Sequence, residues 1–374
     1  MIDAILVLNA GSSSLKFQAF RHDDLAKIAG GQVRNIGDDA TFEATLASGP
    51  KESAALAKGS DHEAALSAVL EFVDRHDDGW HIIAVVHRIV HGGTRYADPV
   101  ILTPGIIGEL TALCPLAPLH QPHNLAAIAA AEKLAGNVPN IGCFDTAFHA
   151  GHTELFNSYA VSGDMRAKGV RRYGFHGISY KWIARVLAKD HPDLAKGRVV
   201  AAHLGNGASL CAIQDCRSVD TTMGMTALDG LPMGTRSGAI DPGAVIYMGR
   251  DLAMSPDEIQ AELYERSGLL GLSGISNDVK ALLESDASRA RFALDYQALK
   301  IAQYIATMAT SMGGMDGLVF TAGIGEHAKP VRDAVVAHLA FLGPFQVLVV
   351  PTNEELMMAI DAKELLATKE PDAG

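Results

Sequence analysis

Two arginines are set where they can meet an anion. Arg236 stands in Leu228-Asp229-Gly230-Leu231-Pro232-Met233-Gly234-Thr235-Arg236-Ser237-Gly238, a run that glycine interrupts at 230, 234 and 238. A backbone that turns so often presents a side chain instead of burying it. A presented arginine neutralises phosphate or carboxylate oxygens through its planar fork of donors. Arg88 arrives in a similar setting, His87-Arg88-Ile89-Val90-His91-Gly92-Gly93. The chain carries a formal charge of −12, so an anionic substrate has to be captured by local positive charge against the global field. That balance, with no run of lysine or arginine, excludes a nucleic-acid footprint.

Small-residue turns accompany the arginines. Asn9-Ala10-Gly11-Ser12-Ser13-Ser14-Leu15-Lys16 puts hydroxyls and one lysine directly after an apolar run, where a slim backbone lets a polyphosphate come close. The spacing is not that of a Walker loop, and a serine-rich hairpin taken alone is a turn. Gly205-Asn206-Gly207 and Gly323-Ile324-Gly325 are expected as turns at strand ends, the usual ligand edge of α/β proteins, although most such pairs only permit positive φ. Phe144-Asp145-Thr146-Ala147-Phe148-His149 sets a carboxylate just past a strand, where Asp145 is either a helix cap or an acid facing a ligand. In Tyr173-Gly174-Phe175-His176-Gly177 the glycines allow a ligand close to His176. Glu354, after the last strand, is the carboxylate for a magnesium ion, which takes one or two carboxylates and keeps several waters; Glu355 reads as its solvated neighbour. His87 and His91 have the i, i+4 spacing of a zinc pair. No HExxH pattern or cysteine set goes with them, so they read as braces of the Arg88 loop.

The elements that must position these residues alternate along the chain. At 374 residues there is room for two domains, and the first is expected to hand over to the second near 140–150. Apolar runs at 5–8 and 15–20 flank the first turn as strands, and runs at 199–202 and 210–213 flank the turn at 203–209. A shift of 195 residues carries Ser14-Leu15 onto Ser209-Leu210, a faint internal repeat whose alternative is two unrelated hairpins. Helices are expected over 62–75, 124–134, 180–188 and 330–342, and further strands over 82–86, 140–144, 317–320 and 347–350. That alternation predicts an α/β fold. Cys114, Cys143, Cys211 and Cys216 lack CxxC spacing and read as buried free thiols of a reducing compartment. No apolar run has transmembrane length and the N-terminus is unlike a signal peptide, so neither a membrane nor a secreted location is expected; the expectation is cytoplasmic.

Taken in order, the motifs at 9–16, 87–93, Ala117-Pro118-Leu119-His120, 144–149, 173–177, 203–207, 233–236, 321–326 and 351–355 resemble the acetate kinase family over essentially the whole chain. The resemblance implies the duplicated, two-lobed acetate-and-sugar-kinase, actin-like (ribonuclease H-like) fold with a central active-site cleft. It implies a homodimer that reversibly phosphorylates acetate from ATP, with magnesium, or manganese in its place. Residues 1–147 with a closing helix over 356–374 would form the N-terminal lobe. Residues 148–355 would form the C-terminal lobe with the nucleotide site and dimer interface. Carried onto this chain, Arg88 binds the acyl carboxylate, while Val90, Leu119 and Phe175 surround its methyl group with Ala227 nearby. Arg236 and His176 stabilise the transferring phosphoryl group, and Asp145 is the essential acid. Asn9 and Glu354 serve magnesium; Lys16 and the Ser12-Ser13-Ser14 turn face the phosphates. The nucleotide site would comprise His203, Leu204, Gly205, Asn206 and Gly207, then Asp278, Val279 and Lys280, then Gly323, Ile324, Gly325, Glu326 and His327. The chain departs from the family where Val279-Lys280 stands for a common Phe-Arg pair and Ala227 for a common proline.

The chemistry explains the constellation. A carboxylic acid of ordinary pKa, about 4, is already ionised at neutral pH and needs no general base. The obstacle is repulsion between carboxylate and γ-phosphate, ~4 kcal/mol for unit charges 4 Å apart at an effective dielectric of ~20. Two arginines, a histidine and a magnesium ion answer that problem by positioning and charge neutralisation. A sugar kinase would instead require an aspartate base for an alcohol. Two other classes remain on the residues alone: a non-catalytic nucleotide-binding module of the actin type, which has no use for the arginines, and a metal hydrolase on the histidines, which requires zinc.

Overall fold

The computed structural model describes residues 2–11, 13–47, 49–76, 80–118, 120–134 and 138–368. They fall into two compact units, Met1–Ala147 with Asn353–Gly374, and Phe148–Thr352. The chain returns to the first unit at Asn353, a little before the expected 356, because Asn353 caps the helix Glu354–Ala367 with its side chain.

In the first unit β1 (Ile2–Ala10), β2 (Ser14–Arg21), β3 (Lys27–Arg34), β4 (Thr41–Leu46), β5 (Lys51–Ala55), β6 (Trp80–Ile89), β7 (Val100–Ile101) and β8 (Asn140–Phe144) form one sheet, ordered β5-β4-β3-β2-β1-β6-β8-β7. The run Ile5-Leu6-Val7-Leu8 is apolar at every position because β1 is central and covered on both faces. Leu6 and Leu8 alternate into a core with Phe17, Phe42 and the apolar faces of the helices His62–Arg75 and Gln121–Leu134. The helix Glu354–Ala367 packs on β1 and β6.

In the second unit β9 (Arg198–Leu204), β10 (Ala208–Gln214), β11 (Arg217–Thr221), β12 (Gly317–Thr321) and β13 (Gln346–Val349) are ordered β11-β10-β9-β12-β13. Tyr180, Ile183 and Leu187 of the helix Gly177–Asp190 share its core, and the helix Ser288–Met312 packs on β9 and β10.

The faint repeat is a duplication of topology. In each sheet an antiparallel hairpin (β1 and β2; β9 and β10) leads into a third antiparallel strand, and the first strand then pairs in parallel with the next (β6; β12). Two details differ from expectation. Gly323-Ile324-Gly325 is no turn: it lies inside the short helix Ala322–His327, whose last carbonyls, those of Gly325 and Glu326, accept from Arg332 Nη1 at 2.9 Å. The helix expected over 330–342 stops at His338 and continues as a single 3-10 turn, Ala340–Leu342. Of the free cysteines, Cys143 and Cys211 are buried, whereas Cys114 and Cys216 are half-buried.

Candidate active site

Three neighbouring parallel strands of the first unit, β1, β6 and β8, end together and bring Asn9, Arg88 and Asp145 into contact. Asp145 is not a helix cap. Its carboxylate takes one edge of the Arg88 guanidinium, with Nε 3.1 Å and Nη2 2.7 Å from Oδ2, while Nη1 donates to Asn9 Oδ1 at 3.2 Å. Asp145 is almost fully enclosed, at 2% exposure, and the Arg88 side chain is 23% exposed, so the acid is the anchor and the guanidinium its presented end. Arg88 loses hydration, but Asp145, Glu354 and Glu355 more than compensate and hold it charged.

The loop after Arg88 is fastened by side chains that sequence reasoning passed over. Val90 N–H donates to Asn124 Oδ1 at 3.0 Å, and Asn124 Nδ2 donates to the Ala10 carbonyl at 2.8 Å, tying the ends of β6 and β1 together. Gln121 receives His91 N–H at 3.1 Å and Thr146 receives Gly92 N–H at 3.0 Å. The available signal was the polar pair Gln121 and Asn124, three apart at the head of an apolar helix. Of the two expected braces, His91 Nδ1 accepts Gly93 N–H at 2.9 Å within the loop, whereas His87 is buried and bonds Asn140 Oδ1 of β8 at 2.7 Å, burial pushing its pKa down to about 4. The Val90 side chain is buried; Leu119 and Ser12 lie outside the described residues.

Glu354 opens the helix Glu354–Ala367 within the electrostatic reach of Arg88 and Lys16. Burial, reinforced by Glu355, pushes its carboxyl above the usual range despite those two cations. A desolvated carboxylate of this kind is suited to a cation. Among the described residues no group of three or more His, Cys, Asp and Glu forms a metal cage. Oxygens such as those of Asn9 and Glu354 are donors of the type magnesium takes, one or two at a time with water and phosphate completing the shell, whereas a structural zinc takes four ligands drawn mainly from Cys and His.

The second unit gathers the other cationic residues around the turn between β9 and β10. His176 caps the helix Gly177–Asp190 in the left-handed region (φ 57°). For a non-glycine residue that costs on the order of 1–2 kcal/mol and marks a conformation imposed by its surroundings. Its Nδ1 meets Ser209 Oγ at 2.8 Å, Ser209 meets Tyr180 Oη at 2.5 Å, and its ring stacks on His203 at 4.2 Å. A Cβ on Gly207 would lie 3.4 Å from His176 Nε2 and 3.8 Å from Arg236 Nη1, so the imidazole and the guanidinium converge where that glycine leaves space. The loop that presents Arg236 closes with Met233 N–H on the Arg236 carbonyl at 3.0 Å and is pinned to this turn by Gly234 N–H on the Asn206 carbonyl at 3.3 Å. Any side chain at 234 would strike Asn206 Oδ1 at 2.3 Å. Arg236 Nη1 donates to the Ala227 carbonyl at 3.2 Å, a backbone contact that survives the loss of proline there.

The remaining expected nucleotide residues flank the same turn: a Cβ on Gly205 would lie 3.7 Å from Ala322, and one on Gly234 would lie 2.3 Å from Asn206 Oδ1 and 3.2 Å from the Asn277 carbonyl. Leu204 and Val279 are buried, so only their backbones are available to a ligand. Asp278 caps the helix Val279–Leu283 through Lys280 N–H, and Lys280 itself extends into solvent. Gly323 is exposed, with nothing within 4 Å of an added Cβ, so the space above it is open. Glu326 Oε1 accepts from Thr352 N–H at 2.9 Å, and His327 ends the helix Ala322–His327. Phe175 is buried beside His176.

Two sheets that repeat one strand plan, with arginine and carboxamide groups at the ends of parallel strands, define the fold class of the solved acetate and propionate kinases. Within that class the profile of the Acetokinase family matches residues 4–345, and the chain belongs to that family. It is 44% identical over 353 residues to an acetate kinase of Rhodopseudomonas palustris, covering 92% of this chain and 88% of that one. The solved acetate kinase of Porphyromonas gingivalis is 34% identical and superposes with a TM-score of 0.87, covering 97% and 100% of the two chains. A propionate kinase from Francisella tularensis is 32% identical with a TM-score of 0.89, covering 96% and 99%. Among the described residues no helix is long and apolar enough to cross a membrane.

Proposed function

We propose that this protein is an acetate kinase, transferring the γ-phosphoryl group of ATP to acetate by direct in-line displacement, reversibly and with magnesium. The observation that carries this reading is the way Arg88 is held. Asp145 occupies the Nε–Nη2 edge and Asn9 one hydrogen of Nη1. By count, one further hydrogen on each of Nη1 and Nη2 remains, and a pair of guanidinium N–H groups matches the two oxygens of a carboxylate. An alcohol acceptor would have no use for that pair, and it would need a base that Asp145, committed to Arg88, is poorly placed to be.

Arg88 would hold acetate with one oxygen directed at the γ-phosphorus. Arg236 and His176 would neutralise the equatorial oxygens as the phosphoryl group moves, and Lys16 would bond phosphate oxygens. Asp145 would serve as a positioning residue that keeps Arg88 charged and oriented. Magnesium, or manganese in its place, would screen the phosphates when bound at Asn9 and Glu354. The turn at 203–207, residues 278–280 and the open side of Gly323 would take the nucleotide. Val90, Phe175 and Leu119 would bound the acyl pocket, and acetate is the preferred acid.

We further propose a homodimer formed through the second unit, where Leu155, Ile246, Tyr247 and Leu252 leave large apolar side chains in solvent. The location proposed is cytoplasmic. Hydroxamate formation from acetate, propionate and butyrate with ATP tests the activity: a product with none of them overturns the reading. Sedimentation at micromolar concentration tests the dimer, which a monomer would refute.

A further inference from the structure

The segment that carries His176 rests on a buried hydrogen-bond network that the phosphoryl chemistry does not use. His149 Nε2 lies 2.9 Å from the Phe175 carbonyl, and its Nδ1 lies 2.7 Å from Ser218 Oγ. His152 Nε2 meets the same hydroxyl at 2.6 Å and Cys211 Sγ meets it at 3.2 Å. The His149 ring also lies directly under Gly174: a Cβ there would come within 2.6 Å of its Cδ2.

The protons in this cluster can be assigned by counting. A carbonyl only accepts, so His149 carries its hydrogen on Nε2. Burial pushes its pKa down to about 4, so the ring is neutral and Nδ1 is an acceptor. Ser218 has one proton, and it must go to that nitrogen. The remaining lone pairs of Ser218 then accept N–H from His152 and S–H from Cys211. His152 is also neutral, its pKa pushed to about 3 by burial, by His149 and by Arg172 and Arg171, and burial keeps the Cys211 thiol protonated. The Cys211 thiol also faces the Ala212 carbonyl at 3.6 Å, and either arrangement of its proton leaves the His149 assignment unchanged. The opposite His149 tautomer would set two donors against Ser218 and turn a bare ring nitrogen toward the Phe175 carbonyl.

We propose that His149, locked as the Nε2–H tautomer by Ser218, is a positioning residue for phosphoryl transfer. Its bond to the Phe175 carbonyl fixes the peptide that enters His176, holds that residue left-handed, and so sets the imidazole Nε2 over the Gly207 turn. This inference rests on the role given to His176 under the proposed function.

The test is a double-substitution cycle read as separate kcat and KM values. His149→Leu should lower kcat about 100-fold, the loss expected for a displacement of about 1 Å, with KM for acetate and ATP moving less than about threefold. His149→Gln, whose amide N–H can reach the same carbonyl, should recover most of the loss. In a His176→Ala background, His149→Leu should cost less than about threefold more, because the group it positions is gone. Losses that simply multiply overturn the positioning role and leave the reaction assignment standing; a fully active His176→Ala protein overturns both. Should His149→Leu fail to fold, nitrogen NMR of the histidine-labelled wild-type protein decides the point. The Nε2–H form of His149 should persist from about pH 8 to about pH 5, and an Nδ1–H form or an ordinary titration near the free histidine value overturns the proposal.

Discussion

Asp145 and Arg88, 57 residues apart in sequence, form a side-on pair in which the acid is enclosed and the arginine looks outward. The pairing assigns the acid a task that sequence left open between capping a helix and facing a ligand. It also means that the two residues act as a unit whose separate removal will not add.

Asp145→Asn should fold and lose most activity. An amide keeps one acceptor oxygen for Nε and Nη2 but removes the charge that anchors Arg88 and sets an NH2 where Oδ1 accepted, so the edge contact weakens and Arg88 loses its fixed orientation. The specificity constant for acetate should fall about 100-fold or more, as when a reacting group is misplaced by about 1 Å. Circular dichroism melts run beside the kinetics separate this from unfolding. Near-normal turnover would reduce Asp145 to a structural residue.

Arg236→Ala should lose roughly 10³–10⁵ in turnover, the range for an arginine that stabilises transferring phosphoryl charge. Lysine should rescue poorly, because it cannot both donate to the Ala227 carbonyl and reach the phosphoryl oxygens with a planar fork. A loss under about tenfold, or about 1.4 kcal/mol in the barrier, would place Arg236 outside the reaction.

Glu354→Gln should make the metal-free protein more stable near neutral pH. The folded carboxyl titrates above its unfolded value of 4.5, so between those values the native state binds more protons than the unfolded one. Stability from this group therefore falls as pH rises through that window and stays low above it. The glutamine variant should lack this slope, and magnesium should raise the melting temperature of the wild type more than that of the variant. Melting curves from about pH 4 to about pH 8, with and without magnesium, read both effects. Equal responses to magnesium would move the ion away from Glu354.

Val90→Ala should shift the preference toward propionate. One methylene in an apolar pocket is worth about 1–3 kcal/mol, so wild type should favour acetate by roughly 10–200-fold while still accepting propionate. The change should appear mainly in KM, since the proposed place of Val90 is beside the acyl tail. An unaltered ratio of specificity constants removes Val90 from the pocket.

Local pattern by itself determined a large part of this molecule. The apolar run 5–8, the helix His62–Arg75 and the strand Asn140–Phe144 follow from periodicity that neighbouring residues impose on one another, and the structure keeps them. The hairpins at 9–16 and 203–209 were legible for the same reason, and so was Arg236, because glycine-rich turns announce themselves locally; Arg88 instead sits on the strand Trp80–Ile89, ahead of the glycines that drew notice to it. Their equivalence was not legible: few identities link Ser14-Leu15 to Ser209-Leu210, and only strand order, which depends on pairing between distant segments, makes the hairpins copies. Nor did local pattern show that Gly323-Ile324-Gly325 is helical, since two glycines argue against a helix until packing on β9 and the Arg332 guanidinium stabilise it. The partners of the site residues were decided by tertiary structure alone. Asp145 for Arg88, Asn124 for the Val90 loop and Ser218 for His149 are side-chain contacts across tens of residues, and hydrogen bonds of that range leave no period in a sequence.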